Sequence, residues 1–139
     1  MKIVIGNNGG REPIRGTEEA AGLDLFCTET VIIPRYNCRK IKTDIKVEIP
    51  DGHFGMLCPR SSMGKRGLSL ANTIGIIDSD YRGEIICLIR NNNSHSETVK
   101  ANDRIAQLVI VPYISPKIEV VRELSETDRG TGGFGSTGE

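Results

Sequence analysis

A chain of 139 residues is one domain's worth, large enough to bury a core of its own with little left for a second. Its 18 lysines and arginines equal its 18 aspartates and glutamates, which excludes a global field able to hold a nucleic acid backbone or an anionic membrane, so any anion must be caught locally. The four cysteines show no close CxxC pairing and the two histidines stand far apart, which argues against a zinc site and against a disulfide framework.

The opening "MKIVIGNNGG" has too short an apolar run for a signal peptide, and no stretch approaches the roughly 20 apolar residues of a membrane span. A soluble, cytoplasmic protein is expected, with Cys27, Cys58 and Cys87 reduced and packed as small hydrophobes. "AAGLDLFCTE" reads as a strand with an acid, Asp24, between two leucines. An edge strand turning Asp24 to water and a functional carboxylate explain it equally well. "TVIIP" reads as a short strand, and "KIKTDIKVEIP" as one strand with Ile41, Ile45, Val47 and Ile49 on one parity and Lys46 and Glu48 on the other, the alternation of a half-buried strand.

"FGMLCP" is another strand, and "CPRSSMGKRG" follows it with Arg60, Ser61 and Ser62 before Gly64 and Gly67. A guanidinium fork, two hydroxyls and backbone amides at a strand end suit phosphate oxygens, although such a string is more commonly a solvated turn. The glycines limit any helix here to about a turn or two. No histidine is near either serine in sequence, so a serine nucleophile has no support. In "NTIGIIDSDYRGEI", Asp78 emerges from an apolar run just before Ser79, Asp80, Tyr81, Arg82 and Gly83, a hairpin turn more crowded than turning requires. An Asp80/Arg82 ion pair accounts for part of that crowd and leaves Asp78 and Tyr81 over.

"EIICLIR" and "IAQLVIVP" are further strands, the second interrupted by Gln107, whose amide needs partners if buried. The Ile118, Val120 alternation of "KIEVVREL" favours a strand there too. The terminal "RGTGGFGSTG" is half glycine and suits neither helix nor core, yet it carries Arg129, Thr131, Phe134 and Ser136. Many short strands and no long helix imply an all-β sandwich, jelly roll or closed barrel.

Taken together, "AGLDL", "PRSS", "NTIGIIDSDYRGE", "RIAQLVIVP" and "RGTGGFGSTG" resemble the five ordered motifs of the trimeric dUTPases, the deoxyuridine triphosphate nucleotidohydrolases, from Ala21 to Gly138. That resemblance implies a β jelly-roll homotrimer, with residues 1–128 as the core and residues 129–139 as a glycine-rich lid exchanged onto a neighbouring subunit. It implies three sites at subunit interfaces, and hydrolysis of dUTP to dUMP and pyrophosphate with Mg2+, which keeps uracil out of DNA and supplies dUMP for dTMP synthesis. Asp78 would activate the attacking water. Arg60, Ser61, Ser62 and Gln107 would position the triphosphate, with magnesium reached from Asp24 through water.

Asn72 and the backbone of Gly75, Ile76, Ile77 and Ile86 would read uracil, and Tyr81 would pack under the sugar. Arg129, Thr131, Gly133, Gly135 and Ser136 would close over the phosphates while Phe134 covers the base. Ser62 stands where glycine is frequent in cellular members, and Arg60 to Gly67 is one residue shorter than in many, as in some viral members. A dCTP deaminase shares the implied fold but is usually longer, with deaminating residues of which the sequence shows no surplus. A protein that binds a regulatory partner on the same scaffold is the other reading.

Overall fold

Residues 1–133 are described by a computed structural model, in which short β-branched runs cut off by Gly, Pro, Asn and Asp form twelve antiparallel strands. In chain order these are β1 (Lys2–Ile5), β2 (Ile14–Arg15), β3 (Gly22–Phe26), β4 (Val31–Ile33), β5 (Cys38–Lys42), β6 (Ile45–Glu48) and β7 (His53–Pro59). One short helix, α1 (Ser61–Lys65), precedes β8 (Leu68–Leu70), β9 (Gly75–Ile77), β10 (Ile86–Asn91), β11 (Glu97–Val99) and β12 (Arg104–Pro112). The largest sheet has the order β2-β3-β12-β7-β9, and a second has β5-β10-β8; β1 pairs with β6 and β11 with β4. Mostly β structure with almost no helix is what the strand-rich sequence leads one to expect.

The parity seen in "KIKTDIKVEIP" reports the core faithfully, since Ile41, Ile45, Val47 and Ile49 are all buried. The stretch is two strands rather than one, because Asp44 adopts φ 55° and turns the chain between β5 and β6. Aspartate tolerates that left-handed conformation better than most residues. Along β10 burial alternates strictly, with Cys87, Ile89 and Asn91 inward. The Asn91 amide is satisfied in the core: Nδ2 donates to the carbonyls of Ile33 at 3.0 Å and His95 at 2.8 Å, and Oδ1 accepts the Asn93 N–H at 2.9 Å. All four cysteines are free, with Cys27 and Cys87 buried as expected and Cys38 and Cys58 only half-buried.

Three expectations need correction. The stretch 72–86 is not a β-hairpin: β9 pairs with β7, β10 pairs with β5 and β8, and the 78–84 turn carries the chain from one sheet to another. Arg82 forms no ion pair with Asp80, because its guanidinium donates instead to the carbonyls of Ser79 at 2.6 Å and Tyr81 at 3.1 Å. "KIEVVREL" forms no strand; residues 117–124 have no regular structure and no ladder partner among the described residues, and Ile118, Val120 and Leu124 are exposed. An alternating pattern makes a strand only where a neighbour offers unpaired backbone.

Burial pushes the Cys87 thiol up from an ordinary 9.0 to about 12, with the nearby Cys27 thiol adding to the effect. The neutral thiol is therefore favoured in the folded state, and its contribution to stability is intact below pH 9.0 and lost as the pH rises towards about 12. In that window unfolding free energy should fall about 1.4 kcal/mol per pH unit more steeply in the natural protein than in Cys87→Ala, as measured by urea titrations at matched protein concentration.

Candidate active site: an anion patch and a carboxylate-lined cleft

Two groups of polar side chains stand out from the rest of the surface. The first is built across β3, β12 and the end of β7. Asp24 lies on β3 between β2 and β12, so it is on an interior strand and buried, not an edge residue facing water. Its two oxygens are held by different arginines: Arg60 Nε lies 2.7 Å from Oδ1, and Arg104 Nη1 lies 3.1 Å from Oδ2. Arg60 Nη1 also donates to Ser62 Oγ at 3.2 Å, which ties the head of α1 to the same cluster, and Ser61 is exposed beside it.

Gln107 sits opposite Asp24 in the β3–β12 ladder and opposite Cys58 in the β7–β12 ladder. Its Nε2 donates to the Pro59 carbonyl at 3.2 Å, so the amide meets backbone as a strand-interior glutamine must. Gly22 makes room for it: a Cβ there would stand 2.6 Å from Gln107 Oε1. Two guanidiniums against one carboxylate leave the patch with net positive charge, and Ser61, Ser62 and Gln107 add neutral hydrogen-bonding groups. Such a set suits a polyanion with several oxygens.

The second group surrounds β9 and the turn that follows. A cavity of about 180 Å³ is lined by Ile76, Ile77, Asp78, Tyr81, Glu84 and Ile86, among others. A larger cleft of about 590 Å³ lies alongside, between Phe54, Ile76, Asp78, Ser79, Asp80 and Tyr113. Asp78 and Ile76 border both. Because β9 is the edge of its sheet, the backbone groups on its outer side lack a ladder partner among the described residues. Ile86 is paired to Lys42 alone, since β8 meets β10 only from Ile89 onward. The cavity therefore has apolar walls and free peptide groups at its rim, as recognition of a flat heterocycle with polar edges requires.

Asn72 Nδ2 comes close to this rim, 3.5 Å from where a Cβ on Gly75 would stand. The neighbouring Thr73 has φ 64°, a left-handed conformation that costs a β-branched residue about 1–3 kcal/mol and clusters at binding sites.

A family model described as dUTPase matches residues 10–138. The deoxyuridine 5'-triphosphate nucleotidohydrolase of Nautilia profundicola is 45% identical over 139 residues, covering 99% of this chain and 98% of its own, and that of Escherichia phage T5 is 46% identical over 134 residues, covering 91% and 90%. The chain belongs to the dUTPase family. Among solved dUTPases, that of Staphylococcus bacteriophage 80alpha with dUPNHPP superposes with a TM-score of 0.91 at 30% identity, covering 99% of this chain and 98% of its own. A dUTPase mutant from phage phi11 of S. aureus, in which a structural Mg(II) ion is coordinated, matches with a TM-score of 0.83 at 28% identity over 90% of this chain and 98% of its own.

The residues expected from the dUTPase motifs thus fall in two places. Asp24, Arg60, Ser61, Ser62 and Gln107 share the anion patch, while Ile76, Ile77, Asp78, Tyr81 and Ile86 line the cavity, with Gly75 next to Ile76 on β9 and Asn72 beside Gly75. Among the described residues no hydrogen bond or ion pair of either group reaches the other. Arg129 joins neither group; its Nε donates to the Gly132 carbonyl at 2.9 Å, with Thr131 and Gly133 exposed nearby. Phe134, Gly135 and Ser136 lie outside the described residues.

Arg104 was missed in the sequence. Three positions before Gln107, it belongs on the opposite face of a regular strand, but the register shifts between Arg104 and Ala106, and this bulge restores it to the face of Asp24 and Gln107. Asp24→Ala leaves the largely buried Arg60 guanidinium without its carboxylate and should cost about 2–3 kcal/mol in urea unfolding. Arg104→Ala, at a side chain 44% exposed, should cost under about 1 kcal/mol in the same measurement.

Proposed function

We propose that the protein hydrolyses dUTP to dUMP and pyrophosphate at a site shared between the subunits of a homotrimer with a jelly-roll fold. The observation that carries this reading is a pair of half-sites that no hydrogen bond or ion pair joins among the described residues: a positive patch fit for a triphosphate, and an Asp78-lined cavity fit for a nucleoside. A second copy brings the patch of one chain to the cavity of another. Dependence on a neighbour also accounts for residues 113–124, where Ile114, Ile118, Val120 and Leu124 stand 86–95% exposed on a segment without regular structure. Burying four such side chains is worth roughly 6–12 kcal/mol, which another subunit would supply. Relatives named as deoxyuridine triphosphate nucleotidohydrolases, and a structural neighbour that binds a dUTP analogue, support the substrate.

In this reading Asp78, exposed at the mouth of both cavities, holds a water by hydrogen bonding and takes its proton as the oxygen attacks the α-phosphorus. The α–β bridging bond breaks and pyrophosphate leaves, with no covalent enzyme intermediate. Arg60, Ser61, Ser62 and Gln107 of a neighbouring subunit hold the phosphate oxygens in line, and Arg104 adds charge to that patch. Each Asp24 oxygen carries one arginine hydrogen bond and keeps a second lone pair, with which the carboxylate could accept a hydrogen bond from a metal-bound water. Asp24 would help hold a magnesium ion through water, and the metal, when bound with the triphosphate, would supply charge neutralisation.

Uracil is read by the backbone along Gly75, Ile76 and Ile77, where the groups on the outer side of β9 are free among the described residues, and at Ile86, together with Asn72. A pattern of donors and acceptors made for uracil rejects cytosine by leaving buried partners unpaired. Residues 129–139 of a further subunit close the site, with Arg129, Thr131, Gly133, Gly135 and Ser136 over the phosphates and Phe134 over the base. Asp78→Asn should leave the trimer folded and able to bind dUTP while pyrophosphate release falls by about 10³-fold or more, measured with Mg2+ across dUTP, dTTP, dCTP and UTP. The natural protein should favour dUTP strongly over the other three; equal rates on all four would contradict the reading.

A further inference from the structure

We infer that Glu84 is a positioning residue that fixes Tyr81 for discrimination between deoxyribose and ribose, acting through a hydrogen-bonded clamp between the 78–84 turn and the turn joining β5 to β6. The inference rests on the dUTP reading of the site. Glu84 lines the small cavity beside Asp78 and Tyr81, yet its Oε1 is directed away to accept the Asp44 N–H at 2.8 Å. Asp44 presents that N–H because its backbone is left-handed, at φ 55°. Two neighbouring bonds run alongside: Thr43 Oγ1 donates to the Ile85 carbonyl at 2.7 Å, and the Ile85 N–H donates to the Ile45 carbonyl at 2.8 Å.

The far side of the clamp is itself anchored. Asp44 Oδ2 accepts the Asn8 N–H at 2.7 Å, and the Asp44 carbonyl accepts the Gly6 N–H at 2.9 Å. On the near side, the Tyr81 hydroxyl donates to the Glu84 carbonyl at 3.0 Å. Its ring leaves no room at Gly83, where a Cβ would run into the phenol oxygen. Tyr81 is otherwise 43% exposed, on a turn that no strand pairing supports, so the residue 84 main chain decides where its ring stands. The Glu84 carboxylate, together with the two Ile85 bonds, ties that main chain to the turn between β5 and β6. A ring proposed to lie under the sugar excludes a 2′-hydroxyl only while it stays in place, because a site that relaxes accepts the extra atom.

Steady-state kinetics of the full chain with dUTP and UTP, for the natural protein, Glu84→Ala and Glu84→Gln, test this. Glu84→Ala should raise KM for dUTP about tenfold with kcat within about twofold, and the preference for dUTP over UTP should fall about tenfold. Glu84→Gln keeps an acceptor oxygen and should stay within about threefold of the natural protein in both respects. The inference is overturned by unchanged selectivity in Glu84→Ala, by a loss shared equally between dUTP and UTP, or by Glu84→Gln failing as badly as Glu84→Ala. A natural protein without dUTP turnover would sink the functional reading instead. Should Glu84→Ala not fold, amide exchange in the natural protein decides: the Asp44 N–H should be strongly protected, and free exchange there overturns the clamp.

Discussion

A carboxylate placed on an interior strand must find cationic partners or lose its charge, and Asp24 finds two. The arrangement fixes more than Asp24. Arg60 is drawn from the end of β7 and Arg104 from the start of β12, so the ion pairs close the open ends of two strands around β3. With one arginine on each carboxylate oxygen, the two guanidiniums keep N–H groups that Asp24 does not use, beside the exposed Ser61 and Ser62. The patch is thereby pre-organised for an anion that a single exposed arginine would hold only loosely.

The same economy explains why the second half of the site lies elsewhere. A sheet edge supplies unpaired peptide groups, and β9 is such an edge, whereas Asp24 stands on an interior strand of the same sheet. In the order β2-β3-β12-β7-β9 these two requirements are separated by β12 and β7. In the proposed trimer, symmetry would bring different faces of identical chains together, and apolar side chains would be left exposed on each isolated one. Ile118, Val120 and Leu124 show that exposure in the single chain.

Much of this was legible in the sequence, and the failures have physical causes. Parity identified Ile41, Ile45, Val47 and Ile49 as core because one face of a strand must be dry. Asp24 and Asp78 attracted notice as acids against apolar runs, a conflict of local rules that tends to mark a site. Parity could not reveal the bulge that turns Arg104 towards Asp24, since a bulge is one extra residue with no fixed composition. Nor could it separate the two arms of 72–86, because pairing partners are chosen by the whole sheet and not by the turn between them. "KIEVVREL" kept its alternation and lost its strand for the complementary reason: the pattern is local, but a ladder needs a second chain segment.

The central claim is that one catalytic site takes its anion patch and its general base from different copies of the chain. Mixing two disabled variants tests it directly. Asp78→Asn lacks the base and Arg60→Ala lacks a patch residue, so each alone should be nearly inactive on dUTP. Unfolded together and refolded as mixed oligomers, they should recover a substantial fraction of the natural activity, because some interfaces then pair an intact patch with an intact base. Mixed oligomers, verified by mass, that stay as inactive as either parent would contradict a shared site and place all of its catalytic groups on a single chain.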